Sequence, residues 1–135
     1  MAEAEAARKE IERAKHRVQV KLPDARPAVE GPGVVARETF ADLDGNLYEL
    51  EYVLYAGGDL TRAVCRKRPD FGPASLNKGY SIHDSHLHAD GTICLGMPNT
   101  LGFEEAVDRA RFWANAYTFL IRYGLEETRR VVPDW

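Results

Sequence analysis

The stretch Leu47-Tyr48-Glu49-Leu50-Glu51-Tyr52-Val53-Leu54-Tyr55 alternates in side-chain character. Successive side chains of a strand point to opposite faces, so Tyr48, Leu50, Tyr52 and Leu54 share one face and Glu49 and Glu51 the other. The run reads as a strand with one buried face. Asp44-Gly45-Asn46 before it and Gly57-Gly58-Asp59 after it are turn sequences. They separate it from a strand over residues 34–40 and another over residues 61–67. Connections this short favour antiparallel pairing of neighbours, so the three strands form a meander.

Helical periods flank the strands. Ala4, Ala7, Ile11, Ala14 and Val18 fall at spacings of three and four, which predicts a thin-faced helix over residues 2–18. Pro23 and Pro27 end that segment. Residues 30–33 read as a loop. Past Lys67, Pro69, Gly72, Pro73 and Gly79 break the pattern, and residues 80–83 read as a short extended piece. Beyond Pro98, Phe103, Val107, Ala110, Trp113, Ala114, Tyr117, Leu120 and Ile121 keep the 3.6-residue period of a long core helix. Glu104 and Glu105 suit its first turn and Gly124 its end. Helix, three to four grouped strands, an irregular segment and a long helix make an α+β fold, here one domain over residues 1–135.

Composition narrows the function. A length of 135 residues excludes a (β/α) barrel, which needs roughly 200 residues or more. The 18 basic and 21 acidic residues leave no basic footprint for nucleic acid. Arg66-Lys67-Arg68 reads as a solvated strand end. No stretch approaches the roughly 20 apolar residues of a membrane span, and the first residues do not resemble a signal peptide. Two cysteines far apart make no disulfide framework, so free thiols in a reducing cytoplasm are expected. No cofactor and no membrane partner are expected.

The chemistry concentrates in Ser81-Ile82-His83-Asp84-Ser85-His86-Leu87-His88-Ala89-Asp90-Gly91-Thr92-Ile93-Cys94-Leu95, which holds three of the four histidines and one of the two cysteines. One reading is a metal site, with Asp84, His86, His88 and Cys94 as zinc-type ligands. The Asp-x-His-x-His pattern also occurs at the start of amidohydrolase barrels, but only 47 residues follow His88. The zinc-deaminase signature is absent as well, because no Pro-Cys-x-x-Cys follows. A second reading is thiol catalysis. Cys94 follows a glycine turn, and a nearby imidazole or backbone N–H group could favour its thiolate over the ordinary pKa of about 8.5.

The run Gly91-Thr92-Ile93-Cys94-Leu95 resembles the active-site run of ubiquitin-conjugating enzymes, in which a glycine stands three residues before the catalytic cysteine between aliphatic neighbours. Over roughly residues 3 to 123 the element order is similar too: first helix, antiparallel meander, irregular flap, long core helix. The eukaryotic family carries His-Pro-Asn with the asparagine eight residues before the cysteine; this chain has Asp84-Ser85-His86 there. Arg68-Pro69-Asp70-Phe71-Gly72-Pro73 stands near the place of the family's Tyr-Pro-x-x-Pro-Pro run. Little sequence follows Gly124 for the two helices that usually close the family fold. This divergent form resembles the bacterial ubiquitin-conjugating-like proteins encoded with ubiquitin-like modification and antiphage defence systems.

That resemblance implies a carrier. Cys94 would hold the C-terminal carboxyl of a ubiquitin-like protein as a thioester received from an adenylating activating enzyme, and pass it to a lysine of a target protein. His86, at the asparagine's offset, would donate to the tetrahedral oxyanion or accept the lysine proton. His83, His88, Asp90 and Gly91 would support the flap, Asp90 most simply as a turn residue. Phe71, in the loop over residues 69–73, and Pro98, in the loop over residues 97–102, would meet the protein partners, unless Phe71 packs inward. Cys65 reads as core. The competing expectations are a non-catalytic module that only binds a ubiquitin-like protein, and a small histidine-cluster metal protein.

Overall fold

A computed structural model describes residues 2–31, 33–55, 60–71, 80–95 and 101–135. Among them the order is α1 (Ala2–Lys21), β1 (Ala28–Glu30), β2 (Gly33–Ala41), β3 (Leu47–Tyr55), β4 (Thr61–Lys67), α2 (Ile82–Ser85), α3 (Phe103–Tyr123) and α4 (Leu125–Val131). The described strands form one antiparallel sheet in the order β1-β2-β3-β4. The protein is α+β, and the meander is as the alternation and turns predict. No helix among the described residues is long and apolar enough to cross a membrane. The Gly57-Gly58-Asp59 turn lies outside the described residues.

Two local expectations change. Glu30 and Gly33, expected in a loop, are strand residues paired with each other, and Ala28–Glu30 supplies the fourth strand. The extended piece expected near residues 80–83 gives way to a helical turn. Ser81 creates it: its hydroxyl accepts from the Asp84 amide at 3.2 Å, and its carbonyl accepts from the Ser85 hydroxyl at 2.8 Å. A short polar side chain that caps a helix outcompetes extended pairing.

The core lies between the sheet and α3. Tyr48, Leu50, Tyr52 and Leu54 are buried on one face of β3. Tyr48 meets Trp113 edge-on at 5.8 Å, and Tyr52 meets Phe103 at 5.9 Å. On the opposite face Glu51 is also buried, at 2% exposure, because the guanidinium groups of Arg37 and Arg66 lie against its carboxylate. Burial pushes the Glu51 pKa up, but hydrogen bonds from Arg66 and Arg37 prevail and hold it below the usual range. The α1 stripe is narrower than its spacing suggests. Ala14 and Val18 are buried, while Ala4 and Ala7 are exposed. Arg17 to Glu104 and Lys21 to Asp108, each closing to 2.7 Å, tie its second half to α3.

Candidate active site

The flap docks on the edge of β4. The Cys65 amide donates to the Gly91 carbonyl at 2.7 Å and the Ile93 amide to the Ala63 carbonyl at 2.9 Å, with Thr92 opposite Val64. The chain then pairs with itself. The His88 amide donates to Thr92 at 2.8 Å, the Cys94 amide donates to His86 at 2.9 Å, and Leu87 lies opposite Ile93. The turn between is closed by the Gly91 amide on the His88 carbonyl at 2.9 Å. Asp90 is its turn residue: its carboxylate accepts from the Thr92 amide at 2.9 Å and from Arg62 at 3.2 Å.

Gly91 is required twice over. Its φ is +92°, and a Cβ there would stand 2.7 Å from the Cys65 carbonyl oxygen. Only glycine permits both the positive φ and the close backbone approach. The aliphatic neighbours of Cys94 act as anchors. Ile93 and Leu95 are buried, and Cys94 between them is half-buried, as extended alternation demands. Both cysteines are free thiols.

His86 ends α2 in the left-handed conformation, with φ 56° and ψ 29°. The orphan carbonyls at that helix end are filled by the chain's two tryptophans. Trp113 donates its indole N–H to the Ser85 carbonyl at 2.9 Å, and Trp135 donates to the Asp84 carbonyl at 2.7 Å. The Trp135 ring meets the His86 ring at 4.4 Å, and His86 Nε2 is buried with no hydrogen-bond partner. Burial keeps the His86 pKa below its ordinary value, with His83 acting in the same direction; Asp84 and a hydrogen bond to the Trp135 backbone oppose it.

His86 and Cys94 line one groove of about 560 Å³, with Leu95, Phe112, Trp113 and Trp135 among its walls. His83 is exposed and does not line it. His88 is exposed and lines a different cavity, of about 530 Å³, with Arg68 and Tyr117. The histidines therefore do not converge. Asp84 is held by Arg129 at 3.0 Å, His86 lies against Trp135, and His88 faces elsewhere. Among the described residues no group of three or more metal-ligand side chains comes together.

Phe71 packs inward: it is half-buried against the core, its ring 6.5 Å from that of Tyr117. An apolar ring next to the aromatic face of α3 gains more from that contact than from water. It is thus half-buried rather than exposed as its loop position suggested. Pro98 lies outside the described residues. Cys65 is core, as expected; burial pushes its thiol up to about 11, against the opposing effects of Arg68 and the Lys67 backbone. Sequence reasoning missed Trp135, which follows the last helix and belongs to no period. It read Trp113 as core packing alone, because nothing local announces an indole N–H aimed at a distant carbonyl. No protein-family model, curated protein or solved structure matches this chain.

Proposed function

We propose that this chain is a ubiquitin-conjugating-like acyl carrier with Cys94 as its nucleophile. The observation that carries the reading is the placement of Cys94. It is a free, half-buried thiol held between two buried aliphatic anchors, and it shares a groove with the imidazole of His86. A nucleophile and a proton-handling group presented together in one groove suit acyl transfer.

In the first step the Cys94 thiolate attacks the thioester between an activating enzyme and the C-terminal carboxyl of a ubiquitin-like protein. A new S–C bond forms and the activating enzyme's thiol leaves; ATP is consumed earlier, by that enzyme. In the second step a lysine amine attacks the carbonyl carbon, the bond to Cys94 Sγ breaks, and an amide forms. His86 accepts the proton lost by the amine or donates to the oxyanion. The left-handed backbone at His86 supports its correspondence to the family's asparagine, because asparagine and histidine are among the side chains that tolerate αL best. The same reading places the protein in a bacterial cytoplasm, beside an adenylating enzyme, a ubiquitin-like modifier and a lysine-bearing target, in an antiphage defence setting.

The test is a non-reducing gel of the chain with ATP, an adenylating enzyme and a ubiquitin-like protein encoded beside it. The carrier gives an adduct that reductant cleaves, and Cys94→Ser converts it to a reductant-stable ester. Binding that survives Cys94→Ala, with no adduct in the wild type, would identify a non-catalytic module instead.

A further inference from the structure

Among the described residues two non-glycine positions have positive φ, His86 at 56° and Asp134 at 60°. They stand on the two sides of one contact. The turn at Asp134 precedes Trp135, whose ring lies against His86 at 4.4 Å. The contacts that hold this segment are the Trp135 indole to the Asp84 carbonyl at 2.7 Å, the ring contact, the hydrogen bond between His86 and the Trp135 backbone, the Trp135 amide to the Val132 carbonyl at 3.3 Å, and the partly buried indole against the core. Pro133 and Asp134 are exposed. Against those contacts stand two left-handed residues and a buried His86 Nε2 without a partner. A buried polar atom left unpaired opposes the closed arrangement, because opening returns it to water.

We infer that Trp135 is a removable cap on His86: residues 133–135 close over the imidazole, and lifting them admits an incoming group to Nε2. In the closed arrangement that nitrogen is shielded from solvent, so neither an amine nor an oxyanion reaches it. Opening breaks the indole hydrogen bond, the ring contact and the hydrogen bond between His86 and the Trp135 backbone, and lifts a partly buried indole off the core; the backbone pairings of the flap hairpin are not among these contacts. The consequence for lysine discharge rests on the carrier reading above; the covering of His86 does not.

Histidine-selective acylation with diethyl pyrocarbonate, read by peptide mass, tests the cap, because His83 and His88 are exposed internal references. In the wild type His86 reacts more slowly than both. Trp135→Ala speeds modification of His86 by about tenfold, the shift in open population that follows loss of an aromatic pair, and leaves His83 and His88 unchanged. Trp135→Phe keeps a ring but lacks the indole donor, and gives an intermediate rate. Equal rates for His86 and His83 in the wild type, or no acceleration in either variant, overturn the inference. Unchanged rates at His83 and His88 with an unchanged far-ultraviolet spectrum distinguish uncapping from unfolding. Should no thioester form on Cys94, the carrier reading falls while the labelling result stands.

Discussion

The amide of Cys94 donates to the carbonyl of His86 at 2.9 Å, so the candidate nucleophile and the candidate imidazole leave the backbone at facing positions of one hairpin. Their separation of eight residues follows from that pairing and from the tight turn that Gly91 closes. Hairpin hydrogen bonds hold the pair, so its geometry does not depend on a free loop.

His86→Asn separates the two parts of the proposed chemistry. Asparagine tolerates the left-handed backbone, so the variant folds and still loads Cys94. It cannot take a proton, so discharge onto free lysine slows by about 100-fold if His86 is the base. Burial, reinforced by His83, keeps the His86 pKa below its usual position. Wild-type discharge therefore persists to lower pH than an ordinary imidazole of about 6.5 would allow. Single-turnover discharge of pre-loaded protein at several pH values checks both expectations; an unchanged rate in the variant excludes His86 as the base.

The two cysteines differ in reach. Burial raises the Cys65 thiol to about 11, while Cys94 is half-buried at the groove. Since the thiolate is the reactive form, iodoacetamide at mildly alkaline pH modifies Cys94 and spares Cys65 until the protein is unfolded. Peptide mass mapping before and after urea gives the order.

Gly91→Ala combines a positive φ with a Cβ 2.7 Å from the Cys65 carbonyl oxygen. A backbone shift is unavoidable, and the flap must part from β4. The expected cost is about 3 kcal/mol, seen as a lower urea midpoint. Faster hydrogen exchange at the Cys65 and Ile93 amides, which bond across that junction, would accompany it.

Acid stability rests on two buried carboxylates. Burial pushes the Asp42 pKa up, but hydrogen bonds from Thr118, Asn46 and Asp44 outweigh it and lower the pKa overall; Glu51 is lowered in the same sense by Arg66 and Arg37. A folded-state pKa below the unfolded one adds stability that is fully present above the unfolded value, about 4. That contribution is lost as pH falls through the folded value. Urea midpoints therefore hold steady near neutrality and decline below pH of about 4. Asp42→Asn lowers the neutral midpoint and flattens the decline, and a slope that does not change would exclude Asp42 as its source.

Much of this protein was legible locally. The alternation of residues 47–55, the turn at residues 44–46, the period of α3 and the glycine before Cys94 each depend on side chains a few positions apart, and strand, turn and helix geometry translate them directly. The Gly91 turn and the anchoring roles of Ile93 and Leu95 belong to the same class. The helical turn α2 was not legible, and an extended piece was expected in its place, because Ser81 caps a turn too short to show a period.

Other features required the chain to fold. Glu51 sits on the polar face that alternation assigns to it, yet it is buried because Arg37 and Arg66 arrive from neighbouring strands. Phe71 turns inward because Tyr117, on α3, offers it a ring. Trp135 covers His86 and bonds the Asp84 carbonyl across 51 positions of sequence. No local pattern encodes such contacts. They arise when the packing of α3 on the sheet brings the chain past its last helix back to the flap. Neighbouring residues thus settled α1, the meander of β2 to β4, α3 and where a thiol would be displayed; only tertiary packing decided what surrounds that thiol and what covers the imidazole beside it.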